Sequence, residues 1–89
     1  MILQNAINTV IESEEFQSLA RSGSIELDLC WKIEAKIVNV STAQRIAIEI
    51  RFDFGDEGAS EKDIIAHVFV NGNTGAVTIH NLVFNPWYP

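Results

Sequence analysis

The sequence predicts a single α+β domain, spanning residues 1–89, in which an N-terminal helical arm packs on one face of a four-stranded antiparallel meander sheet. Three observations lead to this fold class. Apolar side chains in residues 2–12 recur with helical spacing, later runs alternate between apolar and polar residues, and polar or glycine-containing segments separate those runs. A short chain forms one core, so the helical arm is the element available to cover the sheet.

The helical arm is expected to bend, or to break into two short helices, near Ser13. At 100° per residue, Phe16 and Leu19 fall off the apolar face that residues 2–12 share. Ser13 followed by two glutamates has the composition of an N-cap with an acidic first turn. The segment 21–23, Arg-Ser-Gly, supplies a cation and a glycine at the predicted end of the arm.

The first strand is predicted to start near Ile25, and its alternation slips by one residue at Val38, which indicates a bulge or a turn. The second strand buries its even-numbered apolar residues, 46 to 54, and exposes Arg45, Ala47, Glu49, Arg51 and Asp53. A connection over roughly residues 39–46, which includes irregular pairing, joins the two strands. One register makes opposite charges face each other three times, in the pairs Lys36/Glu49, Glu34/Arg51 and Lys32/Asp53.

The third and fourth strands are predicted at about 63–71 and 76–84, joined by an Asn-Gly-Asn-Thr-Gly turn. Pairing Val70 with Val77 and Val68 with Ile79 keeps one face apolar. The same register sets His67 opposite His80 on the outer face. With a nearby carboxylate these histidines could bind a divalent metal or act as a pH switch, although two histidines without a third ligand are more often plain surface residues.

Composition excludes some classes of function. With 12 acidic and 6 scattered basic residues the net charge is −6, which does not suit nucleic-acid binding. The single cysteine, Cys30, excludes an internal disulfide, and its place among the outward positions of the first strand makes it a weak candidate nucleophile. The N-terminal segment lacks the features of a signal peptide, and no membrane span or cofactor motif is present, so a cytoplasmic protein without a cofactor is expected.

Acidic residues crowd one end of the predicted sheet, and the expected explanation is a solvated loop rather than a cation site or a paired-carboxylate site. The set comprises Asp53, Asp56, Glu57, Glu61 and Asp63.

Apolar residues on the outer face of the sheet form the predicted interaction surface: Ile65 and Phe69, with Ala47 beside them and Trp87 and Tyr88 in the C-terminal tail. Such a patch could bind a partner or a second copy of the chain, or the tail could fold back over it.

A resemblance supports the fold. The segment 66–77 resembles the closing hairpin of PepSY-type domains, where a strand leads into an Asp/Asn-x-x-Thr-Gly turn, and the helix-plus-meander order is similar to the cystatin superfold. Cystatins carry a Gln-x-Val-x-Gly loop in the first hairpin and a Pro-Trp loop in the second. Residues 39–44 lack that glycine, and Pro86-Trp87 follows the last strand, so protease inhibition is not implied.

The leading functional hypothesis is a small non-enzymatic binding or protein-interaction module that acts through its open sheet face or edge, as a homodimer. One form of it is an acidic inhibitor or immunity-type protein that masks a basic surface. The alternative is a small-ligand- or metal-binding protein, or an enzyme, with a pocket between helix and sheet lined by Trp31, Phe52 and Phe54.

Overall fold

The computed structural model describes residues 2–54 and 63–84, except the side chains of Leu27 and Trp31. Two helices, α1 (Ile2–Glu12) and α2 (Glu14–Ser22), precede a short 3-10 turn at Leu27–Leu29. Strands β1 (Cys30–Thr42), β2 (Arg45–Phe54), β3 (Ile64–Val70) and β4 (Val77–Phe84) follow. The strands form one antiparallel sheet in the order β1-β2-β3-β4, so the predicted helical arm and meander are confirmed. This arrangement is compatible with a cystatin-like fold.

The helical arm breaks at Ser13, as predicted. Ser13 has an extended backbone (φ −72°, ψ 146°), and its hydroxyl accepts the backbone N–H of Phe16 at 3.1 Å. The same hydroxyl donates to the carbonyl of Val10 at 2.6 Å, so one side chain ends α1 and begins α2. Gly23 ends α2 by donating its N–H to the carbonyl of Leu19.

The break lets both helices present apolar side chains to the same sheet. Ala6 and Val10 of α1 and Phe16 and Ala20 of α2 are buried. The Phe16 ring packs against that of Phe52 with 4.7 Å between centroids, in a tilted arrangement typical of aromatic pairs. The core therefore lies between the helices and the buried rows of β2 and β3.

The register between β1 and β2 is the one predicted from charge. Lys36 faces Glu49, Glu34 faces Arg51 and Lys32 faces Asp53, and the pairing shifts between Ile37 and Asn39 where the phase slip was expected. One expectation is wrong: the strand begins at Cys30 and not near Ile25, because residues 27–29 form the 3-10 turn. The irregular pairing expected between residues 39 and 46 is present, since register shifts follow Ile37 and Val40 and pairing continues to Thr42.

Between β3 and β4 the pairs Val70/Val77 and Val68/Ile79 are confirmed. The expected pair of His67 with His80 is wrong, because a register shift between His67 and Val68 places Asn81 opposite His67. The turn that joins these strands is closed by Asn71, whose side-chain oxygen accepts the N–H groups of Asn73 and Thr74.

Gly72 brings the two hairpin ends of the sheet together. Its N–H donates to the carbonyl of Ala43 at 2.7 Å, and a Cβ at this position would lie 2.8 Å from that oxygen. The β1–β2 connection is thereby fixed against the β3–β4 turn.

Within residues 2–54 and 63–84, neither helix is long and apolar enough to cross a lipid bilayer.

Replacing Ser13 by alanine removes the N-cap of α2 and should lower the free energy of unfolding by about 1 kcal/mol. Urea denaturation followed by circular dichroism measures the change. Ser18→Ala, at an exposed position inside α2, is the matched control and should change stability by a few tenths of a kcal/mol at most. Equal effects of the two substitutions would show that the cap does not hold the break.

Candidate interaction surface

Strand β1 lies at one edge of the sheet and carries an apolar row that the helices cover only in part. Ile33, Ala35 and Ile37 face Phe52, Ile50 and Ile48 of β2, which are fully buried. On β1, however, Ile33 keeps 41% and Ile37 keeps 48% of its surface exposed. The alternation of apolar and polar residues places this row in the core, yet about half of its isoleucine surface is in solvent.

The position of the helices explains this exposure. Helix α1 contacts β1, β3 and β4, and helix α2 contacts α1 and β4, so the helical layer lies toward the β4 side of the sheet. The exposed row continues past the register shift in Val38 and Val40, which are 49% and 58% exposed. Ile33, Ile37, Val38 and Val40 together are called the β1 strip below. Patches of this kind on a soluble protein commonly mark sites of protein association.

The other face of β1 carries the alternating charges Lys32, Glu34 and Lys36. The Lys32 ammonium lies 2.6 Å from the Glu34 carboxylate. This hydrogen-bonded ion pair lowers the pKa of Glu34 and raises the pKa of Lys32, so both side chains are charged at neutral pH. All three charged side chains are exposed.

The opposite edge strand, β4, is less open to a new strand. It is shorter than β1, its pairing with β3 is interrupted by the shift near His67, and helix α2 contacts it. The N–H of Leu82 already bonds to the side-chain oxygen of Asn81 at 3.0 Å. These features are the usual means by which an edge is protected from pairing with another chain.

The residues of the predicted outer-face patch differ in exposure. Ile65 is 4% exposed, so it offers little surface to a partner, and its role in an interaction surface stays a prediction. Phe69 is half-buried between the Arg45 guanidinium, 3.9 Å from its centroid, and the His80 ring at 5.2 Å. The other two residues predicted for this surface, Trp87 and Tyr88, lie outside the described residues.

His67 and His80 occupy different surroundings. His67 Nε2 lies 3.6 Å from Glu49 Oε2, whereas His80 contacts the Phe69 ring. Among the described residues, no three His, Cys, Asp or Glu side chains come together in a group that could hold a metal ion. The metal site stays a prediction for which this part of the chain offers no third ligand.

The acidic end of the sheet is not a solvated loop where the structure describes it. Asp53 and Asp63 are buried, and Arg51 bonds to both, with Nε 2.8 Å from Asp53 and Nη2 3.2 Å from Asp63. Asp63 also accepts the N–H of Phe54 at 2.9 Å. The hydrogen bond to Asp53, followed by that to Asp63, raises the pKa of Arg51 against the opposing effect of burial. The cluster fixes the end of β2 to the start of β3 by charge-assisted bonds.

The other acidic residues of that predicted set, Asp56, Glu57 and Glu61, lie outside the described residues.

Cys30 does not face outward as expected. A register shift between Cys30 and Lys32 pairs it with Phe54, and it packs partly buried against the core. Burial is the main cause that raises the pKa of its thiol, and the nearby charges of Asp53 and Asp63 act in the same direction. Since the thiolate is the reactive form, this environment disfavours a nucleophilic role.

Two of the expected lining residues of the predicted ligand pocket, Phe52 and Phe54, are buried in the packed core. The side chain of the third, Trp31, lies outside the described part of the chain, so the pocket between helix and sheet stays a prediction. An open depression of about 510 Å³ lies between α2 and β4, where Leu19, Ile79 and His80 line it. Its lining also includes Glu15, Ser18, Ser22 and Asn81, and it is open to solvent, unlike the enclosed clefts that bury most of a small ligand.

Comparison with protein-family models, with curated proteins and with solved structures finds no match to this chain. The case for function therefore depends on the surface itself, and the β1 edge is its most distinctive feature.

Asp63→Ala should lower the free energy of unfolding by about 1.5–3 kcal/mol, because it removes a buried acceptor from Phe54 N–H and one partner of Arg51. Asp63→Asn keeps an acceptor and should cost less. Chemical denaturation measures both, with Glu15→Ala on the exposed face of α2 as the control. If Asp63→Ala left the free energy of unfolding nearly unchanged, the cluster would not be structural, and a functional role for it would be open again.

Proposed function

We propose that this protein is a non-enzymatic protein-interaction module that binds by adding a β-strand to the outer edge of β1. The observation that carries the proposal is a 13-residue edge strand whose apolar row is half exposed. An edge strand presents unpaired backbone N–H and C=O groups, and strand addition satisfies them while pockets or rows of side chains supply specificity.

The β1 strip supplies an apolar contribution to binding. Fully burying an isoleucine or valine side chain is worth about 1.5–3 kcal/mol, so covering the exposed half of each residue in the strip could contribute about 1 kcal/mol. An added strand would place its own apolar residues beside Ile33 and Ile37 on the same face.

The charged face of β1 makes the edge selective. Edge lysines and bulges discourage unwanted pairing, and β1 has both. Pairing with β2 is nevertheless unbroken from Lys32 to Ile37, and the two lysines flank a glutamate. A strand with complementary charges at matching positions would gain ion pairs there, whereas a mismatched strand would meet like charges.

The proposal includes a cystatin-type fold, which the order of helices and meander supports. The proposal favours recognition of a β-strand over the masking of a basic surface on a partner. The net charge of −6 would attract a basic partner, but the exposed charges of β1 are two lysines and one glutamate.

Site-specific photo-crosslinking in living cells tests the proposal. A photoreactive amino acid at Val38 should give a discrete covalent adduct with a protein, because Val38 lies on the β1 edge. The matched control is the same probe at Thr78, an exposed position on the β4 edge strand, which should give none. The adducts are identified by mass spectrometry and should disappear when Ile37 is also replaced by lysine.

Equal adduct patterns from the two positions, or adducts from Thr78 alone, would contradict binding through β1.

A further inference from the structure

We infer that the strand added to β1 is β1 of a second copy of this chain, antiparallel, with Ala35 facing Ala35 across a two-fold axis. This inference depends on the proposed function and names the partner of the same edge. It follows from the positions of charged and apolar residues between Lys32 and Ile37, where the strand is regular.

The two faces of β1 restrict how the strand can pair with itself. Directly opposed residues of an antiparallel pair point to the same side of the sheet. The charged residues Lys32, Glu34 and Lys36 share one face, and Ile33, Ala35 and Ile37 share the other. A two-fold axis that lies on a residue keeps like faces together, whereas an axis between two residues would set charged positions against apolar ones.

Charge then distinguishes among the remaining registers. An axis on Glu34 opposes the two Glu34 carboxylates and sets Lys32 against Lys36. An axis on Lys36 opposes the two lysines. With the axis on Ala35, each Glu34 faces the other copy's Lys36, so the same side chains form two ion pairs of opposite charge.

The Ala35 axis also suits the apolar face. It sets each Ile33 beside the other copy's Ile37, which pairs the exposed isoleucines of the β1 strip, and it places the small side chain of Ala35 at the centre. An axis on Ile33 would allow ion pairs between Lys32 and Glu34, but β1 begins at Cys30, so the paired segment would be much shorter. An axis on Ile37 would set Lys36 against Val38 and Glu34 against Val40, so neither charge would gain a partner of opposite sign. The Ala35 axis sets only Lys32, at the end of the regular segment, against Val38.

The resulting dimer has a defined shape. The axis is perpendicular to the sheet, so two four-stranded sheets join edge to edge and the helices of both copies lie on the same face. The open β1 edge of each copy pairs with that of the other, so one symmetric contact closes both edges.

Cysteine crosslinking reads out the register. In a Cys30→Ser background, Ala35→Cys should form a disulfide-linked dimer under mild oxidation, because directly opposed residues of an antiparallel pair have Cα atoms about 4.5–5.5 Å apart, within the range that a disulfide spans. Glu34→Cys and Lys36→Cys should crosslink weakly alone and efficiently when mixed, since these positions face each other. Non-reducing electrophoresis measures the linked fraction.

Charge variants give a second measurement that does not depend on oxidation. Glu34→Lys and Lys36→Glu each place like charges across the axis and should weaken self-association about tenfold. Mixed together they should form a heterodimer, because the lysines of one copy then face the glutamates of the other. Sedimentation velocity measures both, after circular dichroism has shown that each variant is folded.

The outcomes separate the two proposals. Efficient crosslinking at Ile33→Cys or Ile37→Cys in place of Ala35→Cys would overturn the register. If the wild-type protein sediments as a monomer at several hundred micromolar, the inference that a second copy is the partner is overturned. Photo-adducts between Val38 and a different protein would in that case still support binding through β1, the proposed function. Absence of both self-association and Val38 adducts would overturn the proposed function itself.

Discussion

The structure depends on how far two short helices reach across the sheet. Ser13 ends one helix and caps the next, and Phe16 then packs on Phe52 near the middle of the sheet. The helices lie toward β4, so the inward residues of β2 and β3 are buried and those of β1 are half exposed. An edge strand with an open apolar row is the direct consequence of this placement.

The same placement makes the two edge strands differ in how readily another strand can pair with them. Strand β4 is short, interrupted and in contact with α2, whereas β1 is long and regular between Lys32 and Ile37. The ion pairs of Arg51 with Asp53 and Asp63 hold the end of β2, the neighbour of β1, against the start of β3. The same charged residues of β1 that set its register on β2 face the solvent at the open edge, where they restrict which strand can be added.

Alternation and charge in the sequence predicted the fold and the β1–β2 register, because each charged residue of β1 has one partner of opposite sign in only one alignment. Alternation gives the face of a residue but not what covers it, so Ile65 and Asp53 were expected in solvent and are buried. For the same reason the exposure of Ile33 and Ile37 was missed, since it depends on the lateral reach of the helices. A one-residue bulge, which has no clear signal in composition, moved His80 away from His67.

Amide hydrogen exchange at two protein concentrations tests most directly whether the β1 edge is the binding element. If β1 pairs with a second copy, its amides between Lys32 and Ile37 that are not bonded to β2 should exchange freely at low micromolar concentration and become protected at several hundred micromolar. The amides of β4 should be unchanged. Exchange in β1 that is independent of concentration, or new protection confined to β4, would contradict this.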